Sequence, residues 1–221
     1  MSSSVNRRIF RSPEAEEDVV VVGESVRRRL ASDDPIATVT TLLAGANQRV
    51  EAIVAEARAR AEAIVAEAGA EAGVGRFLFS SSGSNYGASG DGLLDEQAAL
   101  APLTPYAVSK VKLEEELARL ADDSFSPVFL RNATAYGISP RLRVDLVLNN
   151  LTAWAVTTGK IVLQSDGTPW RPIVHVEDIC RAFVLLLEAP REKVHAQAFN
   201  IGASAENYRI RELAEIVSET I

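Results

Sequence analysis

The chain has 221 residues, 47% of them hydrophobic, and its formal net charge at neutral pH is −7. A chain of this length can bury one sizeable core. The acidic balance, without a clustered basic stripe, argues against a nucleic-acid-binding surface. The longest early apolar run, Val19–Val22, is far too short to span a membrane, and no apolar signal region precedes it. We therefore expect a cytoplasmic protein with neither a nucleic acid nor a membrane as partner.

The first segment, residues 1–37, is mostly polar and charged, and we predict that it is poorly ordered or irregular. Within it, Val19–Val22 followed by Gly23 is typical of a short buried strand with a turn after it. A dinucleotide-binding turn needs several closely spaced glycines, but the next glycine is Gly45. Glu24 would also place a negative charge where a phosphate should bind. The sequence therefore predicts no phosphate-binding turn here.

A long helix is predicted over residues 38–72, which are rich in Ala and Glu. The heptapeptide Glu51–Ala57 recurs as Glu62–Ala68, so the sequence repeats after eleven residues. Apolar residues of both copies share one helix face, and about 28 residues of helix would extend roughly 40 Å. Two interpretations remain open. Either the last turns simply pack on a sheet, or the excess length forms a helix pair between two subunits of a homodimer.

A strand that ends in hydroxyl groups is predicted next. Phe77–Phe79 are apolar and indicate a short buried strand, and Ser80–Ser82 then end it. Polar groups at the carboxyl end of a strand lie at the edge of an α/β sheet where ligands bind. After a loop, an amphipathic helix begins near Pro105, with Glu114–Glu116 predicted on its solvated face. On that helix Tyr106 and Lys110 are four residues apart and share one face.

This spacing has a chemical use. A free phenol has a pKa of about 10 and is a poor base at neutral pH. An ammonium one helical turn away favours the phenolate, so Tyr106 can exchange a proton with a substrate hydroxyl. Ser82, at the strand end, can hydrogen-bond the same oxygen. The simpler interpretation is a surface Tyr and Lys on an amphipathic helix, and the serine-rich strand end upstream favours the chemical one.

Together, Phe77–Gly87 and Tyr106–Lys110 resemble the second half of the extended short-chain dehydrogenase/reductases, in their NAD-dependent epimerase/dehydratase branch. The resemblance extends from about Gly73 to the end of the chain. It implies an α/β fold with a Rossmann-like, doubly wound parallel sheet that is only partial here. It also implies one epimerase/dehydratase-like domain over residues 38–221, comprising the long N-terminal helix and a truncated substrate lobe at residues 140–178.

The resemblance implies NAD as cofactor, a nucleotide sugar as substrate, and no metal. NAD binding is expected to be weak or lost, because the glycine-rich turn is not found. The implied catalytic residues are Ser82, Tyr106 and Lys110. The implied cofactor-binding residues are Ser81, Ser82, Tyr106, Lys110 and Ala133.

Later segments extend the resemblance to the substrate side. The implied substrate-binding residues are Thr134, Asn150, Leu151 and Arg171. Family members often carry Asn where this chain has Thr134. Asn150 falls in a helix predicted over Asp145–Thr158, and the apolar run Ile161–Leu163 is predicted as a short strand after it. The charged fork of Arg171 suits the substrate diphosphate. We interpret His175 as structural and expect Asp178 to cap or begin the next helix.

The residues after Ser82 bear on the type of reaction. Members of the dehydratase branch have an Asp-Glu pair there, whereas this chain has Gly83 and Ser84, which cannot act as acid and base. We therefore expect epimerase or reductase chemistry, with Tyr106 as acid and base. The alternative is a truncated, non-catalytic homologue that acts as an assembly or binding module through its long helix.

Overall fold

The computed structural model describes residues 35–87, 92–163 and 165–221. The predicted strand at Val19–Val22 and the turn after it lie outside these residues. The chain divides into two compact units, residues 1–51 and residues 52–221. In the first unit, the described residues 35–51 are helical throughout. They are the first part of helix α1.

Helix α1 is Pro35–Glu71, 37 residues long, close to the range predicted from its Ala and Glu content. Gly73, two residues beyond its end, has a φ of +74°, the left-handed conformation that glycine adopts without strain. The N–H of Gly73 donates to the carbonyl of Ala70 at 3.1 Å, and that of Val74 donates to Gly69 at 2.9 Å. These two bonds form a Schellman motif, which satisfies the last carbonyls of the helix and turns the chain towards the first strand.

The first sheet is parallel and contains three strands in the order β1-β2-β5. They are β1 (Phe77–Ser82), β2 (Pro127–Asn132) and β5 (Ala198–Ile201). In this sheet Phe79 pairs with Phe129, and Phe129 pairs with Ala198. The serines that we expected to end β1 lie within it, because Ser80 and Ser81 pair with Leu130 and Arg131. The parallel sheet with its helices confirms the predicted α/β class.

Helix α2 (Pro105–Leu120) follows a loop and begins where the sequence predicted. Its N-terminus is capped by Thr104, whose hydroxyl accepts from the N–H of Ala107 at 3.1 Å, and Pro105 occupies the first turn. Apolar residues of α1, α2 and the first sheet pack into one core. Its buried members are Ala66, Phe79, Leu113, Leu117, Phe125 and Phe129.

A second small sheet consists of β3 (Thr134–Tyr136), β4 (Trp170–His175) and β6 (Asn207–Arg209). Strands β3 and β4 are parallel, whereas β6 runs antiparallel to β4. Helices α3 (Val147–Thr158) and α6 (Ile210–Thr220) pack with this sheet around a second core, whose buried members are Leu151, Ile173, Leu213, Ala214 and Val217. Helix α4 (Val176–Glu188) and the short α5 (Arg191–Val194) precede β5.

Some sequence predictions in this part of the chain were wrong. Residues Ile161–Leu163, predicted as a strand, form no regular element, and Ile161 and Leu163 instead pack against the second core. Helix α3 begins at Val147, two residues after the predicted Asp145. The cap of α4 is His175, whose ring Nδ1 accepts from the N–H of Glu177. Of the two roles predicted for Asp178, capping is therefore wrong, whereas its place in the first turn agrees with the prediction that it begins the helix.

Candidate active site

Tyr106 and Lys110 lie one turn apart at the start of α2, as the sequence predicted. The ammonium of Lys110 lies 5.8 Å from the centre of the Tyr106 ring and 4.6 Å from that of the Phe79 ring. Both distances allow an attraction between the cation and the ring face. Tyr106 is 43% exposed, whereas Lys110 is only 8% exposed. The pair therefore presents an accessible phenol beside a largely buried positive charge.

A carboxylate that the sequence analysis did not identify binds this ammonium. Lys110 Nζ donates to Oε1 of Glu62 at 3.0 Å and to Oε2 at 3.1 Å. Glu62 lies in the second half of α1, on the other helix that packs in the first core. The lysine side chain is 11% exposed and the glutamate side chain 40%. Among the described residues, Glu62 is the only carboxylate that forms an ion pair with Lys110.

Ser82 lies at the end of β1 and caps the 3₁₀ helix that follows, Gly83–Tyr86. Its hydroxyl oxygen accepts from the N–H of Ser84 at 3.2 Å and lies 2.8 Å from the hydroxyl of Ser84. Within the described part of the chain, no hydrogen bond joins Ser82 to Tyr106 or Lys110. The structure therefore brings Tyr106 and Lys110 together and gives the Ser82 hydroxyl a capping contact.

The chain leaves the 3₁₀ helix through Gly87, a position that no other residue can occupy without strain. Its φ is +51°, in the left-handed region. A Cβ at this residue would lie 1.8 Å from the carbonyl oxygen of Ala101, far inside van der Waals contact. The loop before α2 therefore passes directly over the 3₁₀ helix, and the N–H of Ala101 donates to the carbonyl of Asn85 at 3.1 Å.

Ser81, which precedes the capping serine, is buried in a polar network. Its hydroxyl donates to Glu114 of α2, and Asn85 Nδ2 donates both to the Ser81 hydroxyl at 3.1 Å and to Glu114 Oε1 at 3.0 Å. Arg131 of β2 completes the network with an ion pair of 2.7 Å to Glu114 Oε2. The Ser81 side chain thus holds β1 and α2 together rather than facing an open site.

The network continues across the sheet to β5. Arg131 donates to the hydroxyl of Tyr86 at 3.1 Å, and that hydroxyl donates to Oδ1 of Asn200 at 2.6 Å. The N–H of Asn200 donates to the carboxylate of Glu96 at 2.7 Å. Burial lowers the pKa of Arg131, but its hydrogen bonds to Glu114 and Tyr86 outweigh that effect and raise the pKa above its ordinary value. Arg131 of β2 is therefore a fixed positive charge that is linked to β1 through Glu114 and to β5 through Tyr86.

One residue of this network contradicts its sequence-based prediction. Glu114, predicted on the solvated face of α2, is buried. A signal was present, because Glu114 follows Lys110 by four residues and Tyr106 by eight, which places all three on one helix face. Lys110 points into the protein, and Glu114, four residues later on the same face, therefore points inwards as well.

The residues predicted for substrate binding are distributed over the second sheet and its helices. Thr134 lies in β3 opposite Ile173 of β4. Arg171, also in β4, is exposed, and its guanidinium donates only to the adjacent carbonyl of Trp170, at 3.2 Å, among the described residues. Asn150 Nδ2 donates to the carbonyl of Val144 at 2.9 Å.

Of two further predicted residues, Leu151 is buried, whereas Ala133 is only partly buried. Leu151 is buried in the second core, so its side chain is not available to a ligand. Ala133, predicted for cofactor binding, lies between β2 and β3, and its N–H donates to the carbonyl of Ile201 at 2.9 Å. Its methyl group would lie 3.2 Å from a Cβ at Gly202, so only small residues fit together here.

The described residues contain neither a candidate membrane-spanning helix nor a candidate metal site. None of their helices is both long and apolar enough to cross a membrane. Nor do three or more of their His, Cys, Asp or Glu side chains come together in a group suited to a metal ion.

Similar proteins were found both by sequence and by structure. The UDP-glucose 4-epimerase of Bacillus subtilis (strain 168) is 30% identical over 160 residues, which are 65% of this chain and 47% of that protein. MoeE5, solved in complex with UDP-glucuronic acid and NAD, is 31% identical with a TM-score of 0.62. That match covers 70% of this chain and 51% of MoeE5.

A dehydratase is also among the similar structures. DesIV of Streptomyces venezuelae, a dTDP-glucose 4,6-dehydratase solved with NAD and TYD bound, is 25% identical with a TM-score of 0.67. The match covers 79% of this chain and 53% of DesIV. The chain thus spans about half the length of the relatives it matches. These similarities confirm the predicted Rossmann-like class of the sheet.

The family itself was found over most of the chain. Residues 11–202 match the NAD dependent epimerase/dehydratase family, a range that includes both sheets up to Gly202 and the Tyr106–Lys110 pair. The range is longer than the one inferred from the motifs, which began near Gly73. This chain belongs to the NAD dependent epimerase/dehydratase family.

Proposed function

We propose that this protein is an NAD-dependent enzyme that epimerises a nucleotide sugar. The observation that carries the proposal is the pairing of an exposed phenol, Tyr106, with the largely buried ammonium of Lys110 at the start of α2. Phenol, ammonium and hydroxyl side chains near one sheet edge can form hydrogen bonds with the hydroxyl groups of a nicotinamide ribose and of a sugar. The relatives that bind UDP-sugars and NAD support the same chemistry.

Each residue has a distinct role in this proposal. Tyr106 takes the proton from a sugar hydroxyl and later returns one, while Lys110 stabilises the phenolate and donates to the nicotinamide ribose. Ser82 turns its hydroxyl from Ser84 towards the same sugar oxygen. Bound NAD supplies the oxidising and reducing power by accepting a hydride and giving it back. Ala133 provides a small surface beside the cofactor, and Ser81 contributes through its backbone because its hydroxyl binds Glu114.

Epimerisation is favoured over dehydration by the residues after Ser82. Gly83 has no side chain, and the hydroxyl of Ser84 is bonded to Ser82. Neither residue can protonate a leaving hydroxyl or remove a proton from carbon in the way that a carboxyl group can. A net reduction of the substrate remains the second possible outcome of the same hydride chemistry, and product analysis distinguishes the two.

The second sheet supplies the proposed nucleotide-sugar contacts. Arg171 is exposed on β4, and its guanidinium can form paired hydrogen bonds with a diphosphate. Thr134 lies two strand positions further along the paired strands β3 and β4, and Asn150 lies on α3. Leu151 is not included, because its side chain is part of the second core.

A second candidate function, assembly through α1, is supported by an apolar stripe. Ile53, Val54, Ile64 and Val65 are all exposed although they are large and hydrophobic. Ile53 and Ile64 lie on the side of α1 opposite Ala66 of the first core, and Val54 and Val65 lie beside them. A homodimer formed by this stripe is measurable by sedimentation at several protein concentrations. Ile64→Glu should then yield a monomer, while an unchanged sedimentation coefficient would exclude the stripe as an interface.

The proposed reaction is tested by NAD titration and by product analysis. Titration calorimetry should detect NAD binding that is weaker than in relatives with a glycine-rich turn, because this sequence shows none. Incubation with UDP-glucose and NAD should then yield the epimer, detected by chromatography. A protein that binds NAD but converts no nucleotide sugar would favour the non-catalytic alternative. Sub-micromolar NAD affinity would show that the expectation of weak binding is wrong.

A further inference from the structure

We propose that Glu62 restrains the candidate active site by competing with the nicotinamide ribose and with the Tyr106 phenolate for the charge of Lys110. This inference rests on the proposed function, since it concerns the same lysine. It assigns a role to α1 beyond packing, because α1 supplies the carboxylate. Glu62 is therefore a counter-ion that must release Lys110, or share it, when the cofactor binds.

The geometry limits what Lys110 can do while the pair is formed. An ammonium has three N–H donors, and two carboxylate oxygens of Glu62 lie within hydrogen-bond distance of it, at 3.0 and 3.1 Å. The Phe79 ring also lies against the ammonium, with its centre 4.6 Å from Nζ of Lys110. In this arrangement one or two of the N–H groups are directed at Glu62, so the two hydroxyls of a ribose compete with the carboxylate for the donors of one ammonium. Ribose binding therefore shares the ammonium with Glu62 or displaces the carboxylate.

Charge leads to the same conclusion. A phenolate at Tyr106 would draw on the positive charge of Lys110, but the carboxylate of Glu62 already contacts that ammonium directly, at 3.0 Å. The two negative groups would therefore compete for one ammonium. The other nearby carboxylate, Glu114, is bound by Arg131 and Asn85 and is not directed at the ammonium.

Glu62 has a direction in which to move. Its side chain is 40% exposed, whereas that of Lys110 is 11% exposed, so the glutamate is the partner that can turn into solvent. It also lines an open groove of about 260 Å³ between α1 and β1, together with Ala61, Val65 and Phe77. The lysine, in contrast, is held between Phe79 and Tyr106 and stays beside the site.

The eleven-residue repeat of α1 supplies a matched control. Glu62 opens the second copy of the heptapeptide, and Glu51 opens the first with the same six residues after it. Glu51 is exposed, and no ion pair of Glu51 occurs among the described residues. Glu51→Gln and Glu62→Gln therefore remove the same charge from the same local sequence on the same helix, but only the second removes it from Lys110.

The experiment compares NAD binding by the wild-type protein, Glu62→Gln and Glu51→Gln in titration calorimetry. Glu62→Gln should bind NAD about two- to five-fold more tightly, the size of effect that a partly exposed ion pair has. It should also raise the turnover of a nucleotide sugar at pH 7. Glu51→Gln should match the wild type in both measurements. Glutamine keeps an oxygen acceptor near Lys110, and a melting curve verifies that each variant folds.

The sign of the change separates this proposal from a merely structural role. If Glu62 only supported the fold or held Lys110 in place, its loss would weaken NAD binding, and that result would overturn the inference. Equal affinity of wild type and Glu62→Gln would overturn it as well. An equal gain for ADP, which has no nicotinamide ribose, would attribute the effect to general charge and would also count against it. NAD binding by none of the variants would overturn the proposed function itself.

Should Glu62→Gln fail to fold, Glu62→Asp provides the second test. The shorter side chain keeps the charge but withdraws it from Lys110, so NAD should again bind more tightly than in the wild type. Weaker binding by this variant would contradict the competition between Glu62 and the ribose.

Discussion

The polar side chains at the carboxyl end of the first sheet differ from those on the second sheet in how they are bound. In the first region, Ser81, Glu114 and Arg131 are buried and bind one another. In the second region, Arg171 is exposed and donates only to a neighbouring carbonyl among the described residues. The charged groups of this buried network are thus paired within the protein, whereas the second region presents a charged group to solvent.

The difference has a physical reason and a functional consequence. A buried charge without partners is strongly unfavourable, so the first network has to be satisfied within the protein. Once satisfied, it fixes the positions of β1, α2 and β2, and with them Ser82 and Tyr106. An exposed arginine needs no partner, because water solvates it. We therefore expect substitutions in the first region to affect chemistry or folding, and substitutions in the second to affect substrate affinity.

The largest effect is expected for Tyr106→Phe. The change deletes one exposed hydroxyl and keeps the ring, so the fold should persist, while loss of the proposed acid and base should lower turnover by about 10²- to 10⁴-fold. The measurement is the initial rate of epimer formation at saturating NAD. Tyr208→Phe, which removes the hydroxyl bonded to Glu206 in the second region, is the control and should keep normal turnover. Full activity of Tyr106→Phe would show that another group moves the proton.

The next effect is expected for Arg131→Met. The substitution leaves the Glu114 carboxylate buried without its cation, and removing one partner of a buried ion pair costs about 3–5 kcal/mol of unfolding free energy. Urea denaturation measures the loss. The exposed ion pair of Arg181 with Asp178 is the comparison, and Arg181→Met should change stability by at most about 1 kcal/mol. Similar losses in the two variants would mean that burial does not distinguish the pairs.

The sequence was sufficient to predict the main elements of the first region. A short apolar run before serines indicated β1, and the Pro105 start with its apolar spacing indicated α2. Tyr106 and Lys110 could be placed on one face because the helical period fixes their relative direction. Such predictions succeed because they depend on residues close together in the chain.

Partners that are distant in sequence could not be predicted. Lys110 and Glu62 are 48 positions apart, and their contact depends on the packing of α2 against α1. Arg131 and Glu114 meet only because β2 lies beside α2. The predicted strand at Ile161–Leu163 failed for a related reason, since its apolar residues are buried by the second core without any strand pairing. Local apolar patterns report burial, and tertiary packing decides the conformation.

In the second region, Arg171→Ala should weaken binding of a nucleotide diphosphate sugar. A hydrogen bond to a charged group contributes about 1.5–3 kcal/mol, which corresponds to a loss of about ten-fold or more in the dissociation constant. NAD affinity should remain nearly unchanged, because the proposed NAD contacts lie in the first region. Calorimetric titration of both ligands tests this, with Arg181→Ala as the control for loss of an exposed arginine. Equal weakening for both ligands would assign Arg171 to folding rather than to substrate binding.

The smallest effect is expected for Asp145→Asn, in the loop before α3. Arg143 donates two hydrogen bonds to this carboxylate, at 2.6 and 2.7 Å, and lowers the pKa of Asp145 from 3.8 to about 2. Because the pKa is lower in the folded state, the pair stabilises the protein above about pH 4. Its contribution is lost as the pH falls through about 2.

Exposure makes this contribution small. The side chains of Arg143 and Asp145 are 59% and 62% exposed, so water screens their attraction. The loop is also held independently, because Asn149 donates to the carbonyl of Arg143 and Asn150 to that of Val144. Urea midpoints of wild type and Asp145→Asn should therefore differ only slightly at pH 7, and the difference should vanish near pH 2. A large difference at pH 7 would mean that an exposed pair fixes this loop, and the contrast between the two regions would then not follow from burial.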